Sequence, residues 1–257
     1  MDKAEIELLQ SQKSHDVRHL MARWKRVAKA AKLVVRKLGE DAGMPVYYLE
    51  PRSPRGPAGQ EIYLSTGVHG DEPGSVLGLL HWAEANIELL REIDIVLVPI
   101  FNPYGLVENT RRDSTGRDLN RSFHLTRHPL LGPWHSMLKG RRFRLALCLH
   151  EDYDAQGIYL YELSRHPGSL GQKLLDAADK IIPAEPRRTI EGRLLTSPGL
   201  LLRRRPPNMP DEPESITLHR EHTDMSITFE TPSNFSIYHR VRAHQAAIDT
   251  AVSWALS

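Results

Sequence analysis

Two short runs leave this chain little freedom in what it can become: IDIVLVPI at 93–100 and FRLALCLH at 143–150. Each is almost wholly apolar and rich in branched residues, so each needs apolar cover on both faces. A strand inside a sheet that carries helices on either side meets that need. Strand-like stretches at LVVRKLG, PVYYLE, EIYLSTG, GIYLYEL and MSITFE alternate with helical ones. The helical ones are an N-terminal segment within 1–32, with apolar residues at Val17, Leu20, Met21, Trp24 and Val27, then 72–90, 169–182 and 237–256. The alternation predicts an α/β fold with a parallel or mixed sheet. Two stretches carry no regular pattern, 101–128 and the proline- and arginine-rich 184–222, and loops this long in a compact domain usually carry function. A single domain over 1–257 is the expectation.

The charge balance excludes some classes. With 34 basic and 32 acidic residues the net charge is +2, and the RRRPP run has no interleaved aromatics, so nothing points to nucleic acid. The lone Cys148 permits no intrachain disulfide and reads as a small buried hydrophobe. The charged opening MDKAEIELLQ does not read as a signal peptide, no stretch is long and apolar enough for a membrane span, and a cytoplasmic protein is the simplest expectation.

In open α/β sheets, sites form beyond the carboxyl ends of strands. Four polar residues fall there: His69, Asn102, His150 and Glu230. A catalytic zinc typically takes three protein ligands, and His, Glu, His is a standard set. His69, Glu72 and His150 would supply it, with Glu230 the best placed carboxylate to take a proton from a zinc-activated water. Asn102, in the turn NPYG, reads as scaffold. Glu151 follows His150 and would point to the other face, away from the metal.

The ordered set HGDE at 69–72, NPYG at 102–105, RRDSTGRDLNRSF at 111–123, LHE at 149–151 and FETP at 229–232 resembles the zinc carboxypeptidase family, in a minimal form. The resemblance implies a central mixed eight-stranded sheet with helices on both faces, and one zinc ion per chain on His69, Glu72 and His150. It also implies Glu230 as general base and proton donor, Arg111 at the scissile carbonyl, Asn120 and Arg121 on the substrate's terminal carboxylate, and Asp118 orienting a ligating histidine. Arg111, rather than the adjacent Arg112, is selected by its distance to Gly116.

The stretch 206–221, where related digestive enzymes place a mobile tyrosine, has none, and Tyr153, Tyr159 and Tyr161 lie elsewhere. No tyrosine is assigned. The expected activity is hydrolysis of an amide bond next to a free carboxylate in a peptide or peptide-like small substrate, with neither nucleic acid nor membrane as partner. A murein peptide amidase cutting a γ-glutamyl to diaminopimelate bond would use the same residues. An N-acyl amino acid deacylase resembling aspartoacylase or succinylglutamate desuccinylase normally adds a β-rich domain, whereas 27 residues follow Glu230 here. Arg203 to Arg205 read as a solvated loop that could flank an acidic substrate.

Overall fold

The computed structural model describes residues 13–257, so the first twelve residues of the expected N-terminal segment lie outside the described residues. The first helix, α1 (Val17–Ala30), begins where the Asp16 side chain accepts a hydrogen bond from the His19 backbone N–H. It buries Leu20, Met21, Trp24 and Val27 in one stripe.

Eight strands form one mixed sheet in the order β1-β2-β4-β3-β5-β10-β6-β9. At one edge β1 (Leu33–Asp41) and β2 (Met44–Pro51) make an antiparallel hairpin. Through the centre β4 (Ile95–Val98), β3 (Glu61–Ser65), β5 (Phe143–Asp152) and β10 (Met225–Pro232) run parallel. On the far side β6 (Tyr159–Ser164) is antiparallel to β10, and β9 (Leu200–Arg203) runs parallel to β6 as the other edge.

The two largely apolar runs supply β4 and β5, and the alternation of the central strands serves two cores. Ile62, Leu64, Leu145, Leu147, Ile227 and Phe229 belong to one core with α1, α2 (Pro73–Ala85), the short α3 (Ile87–Glu92), α6 (Leu170–Ala178) and α8 (Ile237–Ala255). On the opposite face Tyr63, Val96, Val98 and Ala146 pack with Trp134 of α5 (Leu131–Leu138) and Leu218 of α7 (Glu214–Glu221). This is the α/β fold with a mixed eight-stranded sheet and helices on both faces. From β3 the chain leaves to β4 on one side, and from β4 it returns to β5 on the other. The carboxyl end of β3 is therefore a topological switch point, the place where such sheets open a crevice.

The stretches without pattern in the sequence are not structureless. Residues 101–128 hold α4 (Pro103–Glu108) and a 3₁₀ turn (Leu119–Arg121), while 184–222 holds the two-residue strands β7 (Thr189–Ile190) and β8 (Arg193–Leu194), the edge strand β9, and α7. Arg203 accordingly ends a strand and is not loop. These elements are short, α7 reads ESITLHRE with four residues of lower helix propensity, and tertiary burial decides them.

Between α8 and β10 His244 is wholly buried, its ring 5.6 Å from that of Phe229 and its Nε2 hydrogen-bonded with the Thr231 hydroxyl at 3.1 Å. Burial, with the Arg240 charge adding to it, pushes its pKa down to about 3. The unfolded chain's imidazole titrates near 6.5, so the unfolded state binds more protons between those values. The contribution is complete above pH 6.5 and is lost as the pH falls toward 3. Denaturant unfolding at pH 7 and pH 4.5 is expected to show a loss of stability on acidification, of which about 2 kcal/mol disappears in His244→Gln.

Candidate metal centre and substrate cavity

Beyond Ser65 the chain folds over the ends of its neighbours: the Thr66 N–H donates to the Val98 carbonyl, that of Phe101 to Thr66, and that of Asn102 to Gly67. Gly67 takes φ +64°, a conformation that favours glycine. Gly70 lies against Gly105 so closely that a Cβ would stand 1.8 Å from the Gly105 carbonyl carbon. The turn HGDE is thus seated on the turn NPYG, where the Asn102 side chain accepts from the Gly105 N–H and caps α4. Asn102 is scaffold, as its surroundings in the sequence imply. Glu72 then stands at the start of α2, where the helix dipole favours a negative charge.

His69, Glu72 and His150 converge, with ligand atoms within 4.8 Å of one another and each residue 2% exposed. Nδ1 of His69 lies 2.6 Å from one Glu72 oxygen, and Nδ1 of His150 lies 2.9 Å from the other. Nε2 of His69 lies 3.1 Å from Asp118 Oδ1. His69 is therefore set between two carboxylates, a placement that hydrogen bonds alone satisfy only if the ring carries two protons and a buried positive charge. A metal ion at the convergence point removes that demand, because Nδ1 then offers a lone pair while Nε2–H still donates to Asp118. Two imidazole nitrogens and a carboxylate are a donor set that fits a divalent cation.

The electrostatics agree with a site built for positive charge. Burial opposes ionisation of Glu72, yet the facing His69 and His150 hold it well below the usual carboxylate range. Burial likewise opposes Asp118, and its hydrogen bond with His69 and the charge of Arg111 hold it low. Asp118 joins two of the expected residues, since its second oxygen accepts from Arg111 Nε at 2.9 Å. Arg111 Nη1 is 3.7 Å from Glu72. Arg112 turns outward to the Gly116 carbonyl, so geometry distinguishes the two arginines as the spacing does.

Register places Glu230. It pairs directly with His150 across the parallel β5/β10 ladder, so both side chains leave the same face at the same level. Burial pushes its carboxyl up to about 8, with repulsion from Glu72 adding to this and His150 opposing it. Glu151 points the other way, to the Gly74 N–H and to Arg240. Asn120 is buried and its side-chain oxygen accepts from the Glu214 N–H, while Arg121 Nη2 lies 4.0 Å from Glu191. A cavity of about 320 Å³ is lined by His69, Glu72, Arg111, Asn120, Arg121 and Glu230, so it brings together six of the eight expected residues, and Asp118 and His150 stand behind them.

The structure adds residues that the sequence did not single out. Glu214, fully buried, accepts from the Tyr63 hydroxyl at 2.5 Å and from Ser65 at 2.8 Å, which fixes the start of α7 and with it the side-chain amide of Asn120. Tyr159 and Tyr161 line the cavity from β6, their hydroxyls donating to Asp152 and Glu191. Alternation along GIYLYEL puts both tyrosines on one face, but only the β6/β10 register shows that the face is Glu230's.

A family model for the succinylglutamate desuccinylase/aspartoacylase catalytic domain matches residues 58–178, a span that includes His69, Glu72, Arg111 and His150. No curated protein matches the chain. Among solved structures, candidate metallopeptidases of Shewanella amazonensis and Shewanella denitrificans superpose with TM-scores of 0.81 and 0.82. Each is 23% identical, and the alignments cover 94% of this chain and 94% and 91% of theirs. A metallo-carboxypeptidase of Burkholderia cenocepacia superposes at 0.68 with 17% identity, over 94% of this chain and 69% of its own. The chain has a carboxypeptidase-like fold. At these identities the solved structures share the fold, and this carboxypeptidase-like sheet is the one the motifs led us to expect. No helix among its described residues is long and apolar enough to cross a membrane.

The clamp on His69 can be tested without turnover. Asp118→Asn keeps the shape but removes the charge that orients His69 and Arg111. Affinity for a divalent metal is expected to fall about 10–100-fold, read by equilibrium dialysis against a competing chelator.

Proposed function

We propose that the protein is a zinc-dependent hydrolase of the metallocarboxypeptidase type, a single catalytic domain that cleaves an amide bond next to a free carboxylate in a peptide or peptide-like substrate. One observation carries this reading: His69, Glu72 and His150 converge at the wall of a cavity into which Glu230 and Arg111 also face. Zinc held by those three side chains would supply Lewis acidity at an open coordination position.

The chain's own groups divide the remaining work. Glu230, when ionised, takes a proton from the attacking water and returns one to the departing amine. Its raised pKa makes it a stronger base than a solvated glutamate, and positive charge at the neighbouring ligands brings it back toward ionisation at neutral pH. Arg111, held by Asp118, faces the position where the carbonyl oxygen gathers negative charge. The terminal carboxylate of the substrate falls to Arg121 and to the Asn120 amide, whose oxygen is occupied by the Glu214 N–H so that its NH₂ is left to donate. These roles need no covalent intermediate.

A second reading rests on the match to the desuccinylase/aspartoacylase catalytic domain: the scissile amide would then belong to an N-acyl amino acid. The same residues would act, and a panel of C-terminal peptides, muropeptides and N-acyl amino acids followed by mass spectrometry separates the two.

Glu230→Gln is expected to keep one zinc per chain while kcat falls at least about 10²-fold, and Arg111→Ala to lower kcat about 10²–10³-fold. Full activity in Glu230→Gln would remove the mechanism. Because the base must be ionised and its pKa is raised, the acid limb of kcat/KM is expected above pH 4.5, with activity lost as the pH falls through it. A pH–rate profile at saturating zinc checks the sign.

A further inference from the structure

The cavity continues past Glu230. Alternation along β10, β6 and β9 turns Thr228 and Glu230, Tyr161 and Leu163, and Leu201 and Arg203 to one face, and all six line the cavity. Tyr161 pairs with Thr228 and with Leu201, and Leu163 pairs with Arg203. The floor therefore runs from the base across β6 to the edge strand and ends at a guanidinium, with Ser215 and Ile216 of α7 as its wall.

The charge along this arm is unbalanced. Arg121 and Arg193 share the carboxylate of Glu191, which stands 4.0 Å from the first and 3.9 Å from the second and accepts the Tyr161 hydroxyl, so it offers no ion pair to Arg203. Of the other carboxylates at the cavity, Glu162 is committed to Ser169 and the Gly171 N–H, Asp152 to Tyr159, and Glu151 to Arg240, while no ion pair joins Asp154 or Glu230 to Arg203. Arg204 is tied to the carbonyls of Ser164, His166 and Gly168, whereas Arg203 has neither ion pair nor side-chain hydrogen bond among the described residues. The hydroxyls of Thr228 and Ser215 line the same arm, also without a protein partner among those residues.

With the terminal carboxylate of the substrate assigned to Arg121, we propose that this arm selects an acidic residue on the carboxyl side of the scissile amide, its side-chain carboxylate paired with Arg203. The inference rests on the hydrolase reading above. Leu163, Leu201 and Ile216 accept the methylenes, and Arg203, with the two hydroxyls, meets the anion. A large apolar side chain would cover the Arg203 charge without pairing it, and a basic one would meet like charge, so both are disfavoured. The anion can come from a peptide ending in glutamate or from an N-acylglutamate.

Binding to the zinc-loaded full-length Glu230→Gln protein, measured by calorimetry, separates this proposal from the hydrolase reading. Ala-Ala-Glu is expected to bind about tenfold or more tightly than the isosteric Ala-Ala-Gln and Ala-Ala-Leu. Adding R203Q should reduce the ratio to within about twofold, and R203K should keep part of it. N-acetylglutamate binding tighter than N-acetylglutamine, with the tripeptides equal, would assign the anion to the acyl amino acid. Equal binding of the acidic and amide forms in both series, or a ratio that survives R203Q with an unchanged thermal midpoint, overturns the proposal. If the parent enzyme turns over none of these compounds while the ratio and its loss in R203Q stand, the hydrolase reading fails and the acidic pocket remains.

Discussion

A single buried carboxylate organises the functional half of this protein. Glu72 is withdrawn from water at the start of a helix, and a charge in that position must be compensated at close range. Two imidazoles compensate it, one from the turn after β3 and one from the end of β5. That requirement accounts for much around it: the glycine contact that seats HGDE on NPYG, the Asp118 clamp behind His69, and the guanidinium of Arg111 on the far side of Asp118. Each of these holds a partner of Glu72, or a partner of that partner.

The sheet supplies the rigidity that this arrangement demands. β3, β5 and β10 are adjacent, parallel and buried on both faces, so His69, His150 and Glu230 emerge from the stiffest part of the molecule. The register between β5 and β10 does what no loop could do as accurately, setting the Glu230 carboxylate beside the candidate ligand His150 without any direct bond between them. The opposite face of the same strands carries Leu145, Leu147, Leu149, Ile227 and Phe229, which keeps that apolar core continuous behind the site.

The sequence showed the central strands and the ordered polar motifs because both are written in local pattern. IDIVLVPI and FRLALCLH announce their burial, and HGDE, RRDSTGRDLNRSF and FETP keep their spacing regardless of what surrounds them. Hidden from it were features that depend on pairing between distant segments. LLLR becomes a strand only by joining β6, ESITLHRE becomes a helix only under the burial of Glu214 and Leu218, and Tyr161 reaches the cavity only through the register of β6 on β10. Glu191 reaches the cavity from the turn of a two-residue hairpin, for which the chain offers little beyond the following glycine.

The cavity spans two mechanically different regions. Its Glu230 end stands on strands with neighbours on both sides, whereas its far end stands on β9, four residues long and paired on one side only. Few contacts have to be renegotiated when an edge strand changes, while a shift in β5 or β10 would disturb both cores. The architecture thus separates what must stay fixed from what can vary: substitutions along Leu200–Arg203 would reshape the far end of the cavity while leaving His150, Glu230 and the strands beneath them in place.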